Sequence, residues 1–117
     1  MTIRRLKTYA GFEGYVYQYY FVGKRPLAGE HGASEYVFDV TSDRENTYAV
    51  AVVLSPAPVA AWARAHGRSL SDSEQYAAVK MRLFRAFDEL PGIGAHGRQW
   101  RIDAAFLEEA LAALGVD

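Results

Sequence analysis

Large apolar residues alternate with smaller or polar ones along two stretches in the first half of the chain. In residues 35–41 the large apolar set begins at Tyr36. In residues 47–54 it begins at Tyr48, and the residues on the other face are small. A period of two places alternate side chains on opposite faces of a β-strand. We therefore predict two paired strands here, with residues 42–46 as the polar loop between them.

The stretch between Gly14 and Gly23 reads YVYQYYFV and does not alternate in this way. Its aromatic and β-branched residues still predict a strand. One face of that strand is wholly aromatic and consists of Tyr15, Tyr17, Tyr19 and Phe21. The other face consists of Val16, Gln18, Tyr20 and Val22. We expect the aromatic face to lie beneath helices, and the face with glutamine at its centre to meet a partner.

The second half of the chain carries helix signals. Ser55 followed by Pro56 is typical of a helix start, and Gly67 suits the position just after a helix end. Ser71 and Glu74 have the spacing of a capping box, in which each side chain binds the backbone N–H of the other residue. We predict one helix over residues 55–67 and a longer one from residue 71 to the Pro-Gly pair at 91–92.

Weaker signals complete the chain. Residues 2–9 and 98–102 are candidate strands, the second a short edge strand, and residues 23–34 are a loop rich in glycine. Asp103 is a good cap for a last helix, whose predicted apolar stripe is Phe106, Ala110, Leu111 and Leu114. Strands followed by helices predict a single α+β domain over residues 1–117: an antiparallel meander of about four strands, followed by two to three helices packed on one face.

Three helices of this length can cover one face of a four-stranded sheet but hardly both faces. Because two of the strands are apolar on both faces, we expect a second copy of the chain, in a two-fold homodimer, or another protein to cover the second face. The predicted ligand or partner surface consists of Val16, Gln18, Tyr20, Val22, His31, His96 and Arg98.

Composition restricts the class of protein. The chain has 117 residues, half of them hydrophobic, a formal net charge of −1 and no cysteine, which excludes disulfides and thiolate metal sites. No signal-peptide pattern or apolar run of membrane-spanning length is present, so we expect a cytoplasmic protein with no membrane partner. A strand hairpin, a Ser-Pro-capped helix and a longer helix are typical of small bacterial domains.

Nucleic acid is a third candidate partner. Residues 1–25 carry five basic residues against one acid, and exposed tyrosines could stack on the bases of a single strand. The chain has no RNA-binding sequence motif, however, and its overall charge is slightly negative. Nucleic acid is therefore disfavoured.

Catalytic and metal signals are weak. His31, His66 and His96 each precede a glycine, and three histidines can form a zinc site, but no two have the i, i+3 or i, i+4 spacing of ligands on one helix face. We predict no metal, no cofactor and no catalytic residue. The sequence favours a dimeric binding or regulatory module that acts through its sheet. The alternative is a small enzyme or ligand-binding protein, with a pocket between sheet and helices where His31, His96 and tyrosines supply polar groups.

Overall fold

The computed structural model describes residues 6–10, 16–89 and 99–117, which form one sheet and three helices. The strands are β1 (Lys7–Ala10), β2 (Val16–Pro26), β3 (Ser34–Thr41), β4 (Tyr48–Leu54) and β5 (Gln99–Arg101). The helices are α1 (Pro56–His66), α2 (Asp72–Glu89) and α3 (Ala104–Ala113). The predicted α+β class, with strands first and helices after, is confirmed.

The sheet has the order β1-β2-β3-β4-β5, so neighbours along the chain are neighbours in space. The first four strands are antiparallel, as the predicted meander requires. The short strand predicted near residue 100 is also present, and it lies at the edge of the sheet beside β4. It runs parallel to β4, with Trp100 opposite Val52, because two helices connect the strands and return the chain to the same end of the sheet.

The core lies between one face of the sheet and the three helices. Tyr17, Phe38 and Val52 contribute buried side chains from three different strands, and Leu83 and Leu107 contribute them from α2 and α3. All five residues are fully buried, with 0% of their surface exposed. Burial of apolar surface on this scale is the main favourable term in folding, so the helices are held to this face by their apolar sides.

The aromatic face of β2 lies under the helices, as predicted. Tyr17 and Tyr19 are buried, whereas Phe21 lies at the margin of the core and is 37% exposed. The ring of Tyr17 stacks on that of Phe87 in α2, with centroids 4.3 Å apart. The fourth residue predicted for this face, Tyr15, lies outside the described residues. Aromatic contacts therefore join the second strand to the longest helix.

Strand β2 continues past the predicted end, through Gly23 to Pro26, and contains a bulge. Phe21 pairs with Phe38 and Gly23 pairs with Val37, so Val22 is an extra residue in the register. A bulge of this kind interrupts the strict alternation of side chains. Beyond it Lys24, opposite the buried Tyr36, lies on the helix side of the sheet, and Arg25 lies on the other side.

Helix α1 begins and ends where the sequence predicts, but its first residue acts differently. Ser55 has the extended backbone of an N-cap, yet its side chain makes no capping hydrogen bond to the helix. Its hydroxyl instead donates to the carboxylate of Glu30, in the loop between β2 and β3. At the other end Gly67 has φ of 73°, a left-handed conformation that glycine adopts without steric cost, and its N–H donates to Ala63.

The capping box at the start of α2 is confirmed. The N–H of Glu74 donates to the Ser71 hydroxyl at 3.2 Å, and the N–H of Ser71 donates to the Glu74 carboxylate at 2.9 Å. Asp103 caps α3 as predicted by accepting from the N–H of Phe106 at 2.7 Å. The predicted apolar stripe of α3 is wrong at Leu114, which is 45% exposed because the helix ends before it.

Candidate functional site

The sheet face opposite the helices is called the open face here. Every buried residue that the three helices contribute belongs to the core cluster on the other face. The open face contains residues of all five strands by register. These are Thr8 and Ala10 of β1, Val16, Gln18, Tyr20, Gly23 and Arg25 of β2, Glu35, Val37, Asp39 and Thr41 of β3, Ala49, Ala51 and Val53 of β4, and Gln99 and Arg101 of β5.

The predicted partner surface is distributed unevenly in the structure. Val16 is 46% exposed, Val22 is 42% exposed, and Gln18 and Tyr20 are half-buried. Val16, Gln18 and Tyr20 lie on the open face, whereas Val22 is the bulge residue. His31 is exposed in the loop over residues 27–33, and no described contact joins it to these strand residues. His96 and Arg98 lie outside the described residues.

Small residues form a hollow in the middle of the open face. One row across three strands reads Gly23, Val37 and Ala51, and the neighbouring row ends at Ala49. Val37, Ala49 and Ala51 line a concavity of about 260 Å³, with Arg25 and other polar residues at its edge. A Cβ added at Gly23 would meet no atom within 4 Å. The space above Gly23 is therefore open, whereas Ala51 and Val53 on the same face are buried.

Tyr20 stands beside this hollow. It shares a row with Asp39 and Ala49, so that two strand spacings separate Tyr20 from Ala49. Neighbouring strands lie about 4.8 Å apart, which puts the two residues roughly 10 Å apart along the row. The open face thus has a large aromatic side chain on a row that ends at the depression.

The charged groups at the far end of the open face are paired with each other. Arg25 Nε lies 3.2 Å from Glu35 Oε1, and the Gln99 amide donates to the other oxygen of Glu35 at 3.4 Å. Arg101 Nη1 lies 3.1 Å from Glu30 Oε1. These contacts satisfy the carboxylates within one chain, so that a partner covering this face would not have to neutralise them.

Glu30 and Ser55 could resemble a base and a nucleophile, because the hydroxyl of Ser55 donates to the carboxylate. The hydrogen bond from Ser55, followed by the contacts with Arg101, lowers the pKa of Glu30. A carboxylate with a lowered pKa is a weak general base at neutral pH. The contact therefore fixes the loop to the start of α1 and does not activate the hydroxyl.

Two larger concavities lie on the helix side of the sheet. One, of about 510 Å³, lies between α2, α3 and β1, and its lining includes Tyr9, Asp88 and Phe106. The hydroxyl of Tyr9 donates to Asp88 at 2.7 Å, and burial, followed by this hydrogen bond, raises the pKa of Tyr9 to about 12. Arg85 pairs with Glu109 across the same groove at 3.2 Å. Its polar groups already bind one another.

The other concavity, of about 540 Å³, lies between α1, the start of α2 and the ends of β2 and β3. Its polar lining includes Lys24, Arg64, Asp72 and Gln75. His31 lines neither concavity. Tyrosines line both concavities, Tyr9 the first and Tyr36 the second. The cations Lys24 and Arg64 of the second were not predicted, because they lie far apart along the chain.

The described histidines have separate roles. His66, in the last turn of α1, stacks on Trp62 with ring centroids 4.2 Å apart, and its Nε2 lies 2.6 Å from Glu108 of α3. A basic side chain in the last turn of a helix interacts favourably with the helix dipole. His31 is exposed on a loop. Among residues 6–10, 16–89 and 99–117, no three potential metal ligands lie together.

Comparisons with protein-family models, curated proteins and solved structures find no match to this chain. No helix within the described part of the chain is both long enough and apolar enough to cross a membrane. The function of this chain must therefore be inferred from its own surfaces.

Proposed function

We propose that the protein is a dimeric binding module whose contact surface is the open face, and that the occupant of this face is a second copy of the chain. The observation that carries the proposal is the position of Tyr20 beside the hollow lined by Val37, Ala49 and Ala51. A large aromatic side chain and a depression on one surface allow that surface to pair with a second copy of itself.

Two-fold symmetry turns this arrangement into two equivalent contacts. In an isologous interface the same patch on each copy meets its counterpart, so each Tyr20 enters the hollow of the other copy. Two sheets that pack face to face lie about 10 Å apart, a distance that one tyrosine side chain from each copy can fill. Tyrosine is also among the residues enriched at protein interfaces.

The exposed apolar residues extend the same surface. Val16 lies on the open face near the margin formed by β1, and Leu6, just before β1, is 52% exposed. The ion pairs of Arg25 and Arg101 lie at the opposite end, where they form a polar border. An apolar and aromatic region with a polar border is the usual composition of a protein interface.

The test measures mass in solution as concentration rises. We expect light scattering after size exclusion to report monomer at micromolar concentration and dimer toward millimolar. Ala49→Arg places a long cation in the hollow without a clash in the monomer, because Ala49 is exposed. This variant should remain monomeric at every concentration, with the thermal midpoint of the wild type.

Ala112→Arg is the matched control, since Ala112 is exposed on α3, on the helix side of the sheet. It should dimerise like the wild type. A wild-type chain that stays monomeric at millimolar concentration would contradict the proposal. So would an Ala49→Arg variant that dimerises as well as Ala112→Arg, because the dimer would then use another surface.

A further inference from the structure

The lysines of this chain are all on the same side of the molecule. Only Lys7, Lys24 and Lys80 occur among the 117 residues. Lys7 pairs in register with the buried Tyr19, so it lies on the helix side of the sheet, and Lys24 lies on that side because of the bulge in β2. Lys80 is on α2, which covers the same face. Three cations from three elements therefore lie on the helix side of the sheet.

Aromatic rings lie between these cations. The ammonium of Lys24 lies 5.4 Å from the ring centre of Tyr36, and that of Lys80 lies 5.9 Å from the ring centres of both Tyr76 and Phe84. Tyr36 and Tyr76 are themselves in contact, with centroids 6.4 Å apart. The rings connect Lys24 with Lys80, and the three lysines with these rings are called the lysine cluster here.

Lys7 and Lys80 lie near the same ring, although both carry positive charge. Lys7 pairs in register with Tyr19, whose ring centre lies 5.7 Å from that of Phe84, and the Lys80 ammonium lies 5.9 Å from the Phe84 ring centre. Burial, followed by the charge of neighbouring Lys7, lowers the pKa of Lys80. The ion pairs found in the described part of the chain are made by arginine or histidine, and no carboxylate there pairs with a lysine. Two adjacent ammonium groups without a carboxylate repel each other, and a bound anion would remove that repulsion.

The margin of the lysine cluster includes an exposed aromatic side chain. Phe21 is 37% exposed, and its ring meets that of Tyr76 edge to face at 5.0 Å. Burial raises the pKa of Tyr76, so its hydroxyl is protonated at neutral pH.

We propose that the lysine cluster binds a small ligand with a phosphate on an aromatic group, of the nucleoside monophosphate class. Lys7 and Lys80 would hold the phosphate, whose two negative charges match two ammonium groups better than a single carboxylate does. Phe21 and Tyr76 would contact the aromatic ring of the ligand. The site lies on the opposite side of the sheet from the open face, so it does not depend on the proposed dimer.

Isothermal titration calorimetry on the full chain tests this with three probes: adenosine monophosphate, adenosine and inorganic phosphate. The monophosphate should bind more tightly than either of the others, because it alone uses both parts of the site. In Lys80→Gln its affinity should fall about tenfold to hundredfold, the usual effect of losing a charged hydrogen bond. Phe21→Leu should lower the affinity for the monophosphate toward that for inorganic phosphate.

The unliganded Lys80→Gln variant gives a second readout. Because the substitution removes a like-charge contact, its thermal midpoint should equal or exceed that of the wild type, whereas a purely structural lysine would lose stability. Arg64→Gln is the control, since Arg64 is an exposed cation in the neighbouring concavity. The proposal would be overturned if the wild type did not bind the monophosphate, or if Lys80→Gln bound it as tightly as the wild type. It would also be overturned if only Arg64→Gln lost affinity for the monophosphate.

Discussion

Phe87 is the residue through which α2 holds the first two strands, and its replacement should be among the most damaging in the chain. Its side chain is 2% exposed. Its ring lies 4.3 Å from that of Tyr17, 5.7 Å from that of Tyr9 and 6.1 Å from that of Tyr19. Removal of Phe87 therefore leaves a cavity and ends three aromatic contacts at once.

The magnitude follows from these contacts. Truncation of a buried phenylalanine to alanine costs about 3–5 kcal/mol, which is a large part of the roughly 5–15 kcal/mol that stabilises a domain of this size. Phe87→Leu keeps much of the buried apolar volume and removes the ring contacts, each of which contributes about 0.5–1.5 kcal/mol. We expect this milder variant to lose about 1–3 kcal/mol and to remain folded.

Urea denaturation followed by circular dichroism measures both losses as changes in the free energy of unfolding. Phe84→Leu is the matched control, because Phe84 is half-buried and stacks mainly on Tyr9, at 4.5 Å. Its loss should be smaller than that of Phe87→Leu. If Phe87→Ala cost less than about 1.5 kcal/mol, or if the two leucine variants were equal, the reasoning that β1 and β2 depend on Phe87 would be refuted.

The remaining predictions concern pH. The hydrogen bond from Arg68, followed by that from the Ser71 backbone, lowers the pKa of Glu74 to about 2. Because the pKa is lowered in the folded state, the ionised Glu74 carboxylate stabilises the fold. This contribution is complete above the ordinary glutamate pKa of about 4.5 and is lost as pH falls toward 2. Glu74→Gln should therefore show a weaker dependence of unfolding free energy on pH between those values, and a slope equal to that of the wild type would contradict the capping role. The pKa of Tyr9 is raised to about 12, so its stabilisation is complete below pH 10 and is lost as pH rises to 12. Tyr9→Phe should remove that alkaline loss of stability and the absorbance change of one tyrosine near pH 12, and an unchanged absorbance titration would rule out the shift.

Most of the secondary structure could be predicted because its causes are local. The capping box of Ser71 and Glu74, the glycine that ends α1 and the alternation in β3 and β4 depend on residues a few positions apart. The sidedness of β2 was also predictable, since a wholly aromatic face favours burial more than one with a central glutamine. These features depend on residues that are close together in the sequence, so a local sequence pattern can indicate them.

The parts that escaped prediction depend on contacts between distant residues. Ser55 precedes Pro56 and is at a position typical of an N-cap, yet its hydroxyl donates to Glu30, which is 25 residues away. The lysine cluster joins Lys7 to Lys80, and nothing along the chain relates β1 to the middle of α2. The bulge at Val22 is another such case, because the glycine after it is equally typical of a strand end, which is what the sequence predicted.

The bulge in β2 also changes how the positive charge near the start of the chain is presented. Lys24 and Arg25 are neighbours in sequence, but the bulge sends the first to the helix side of the sheet and the second to Glu35 on the open face. A polyanion such as single-stranded nucleic acid follows one continuous surface and would meet only one of these cations. A basic dipeptide in the sequence is therefore two charges on opposite faces of the fold, which suits small anions better than long ones.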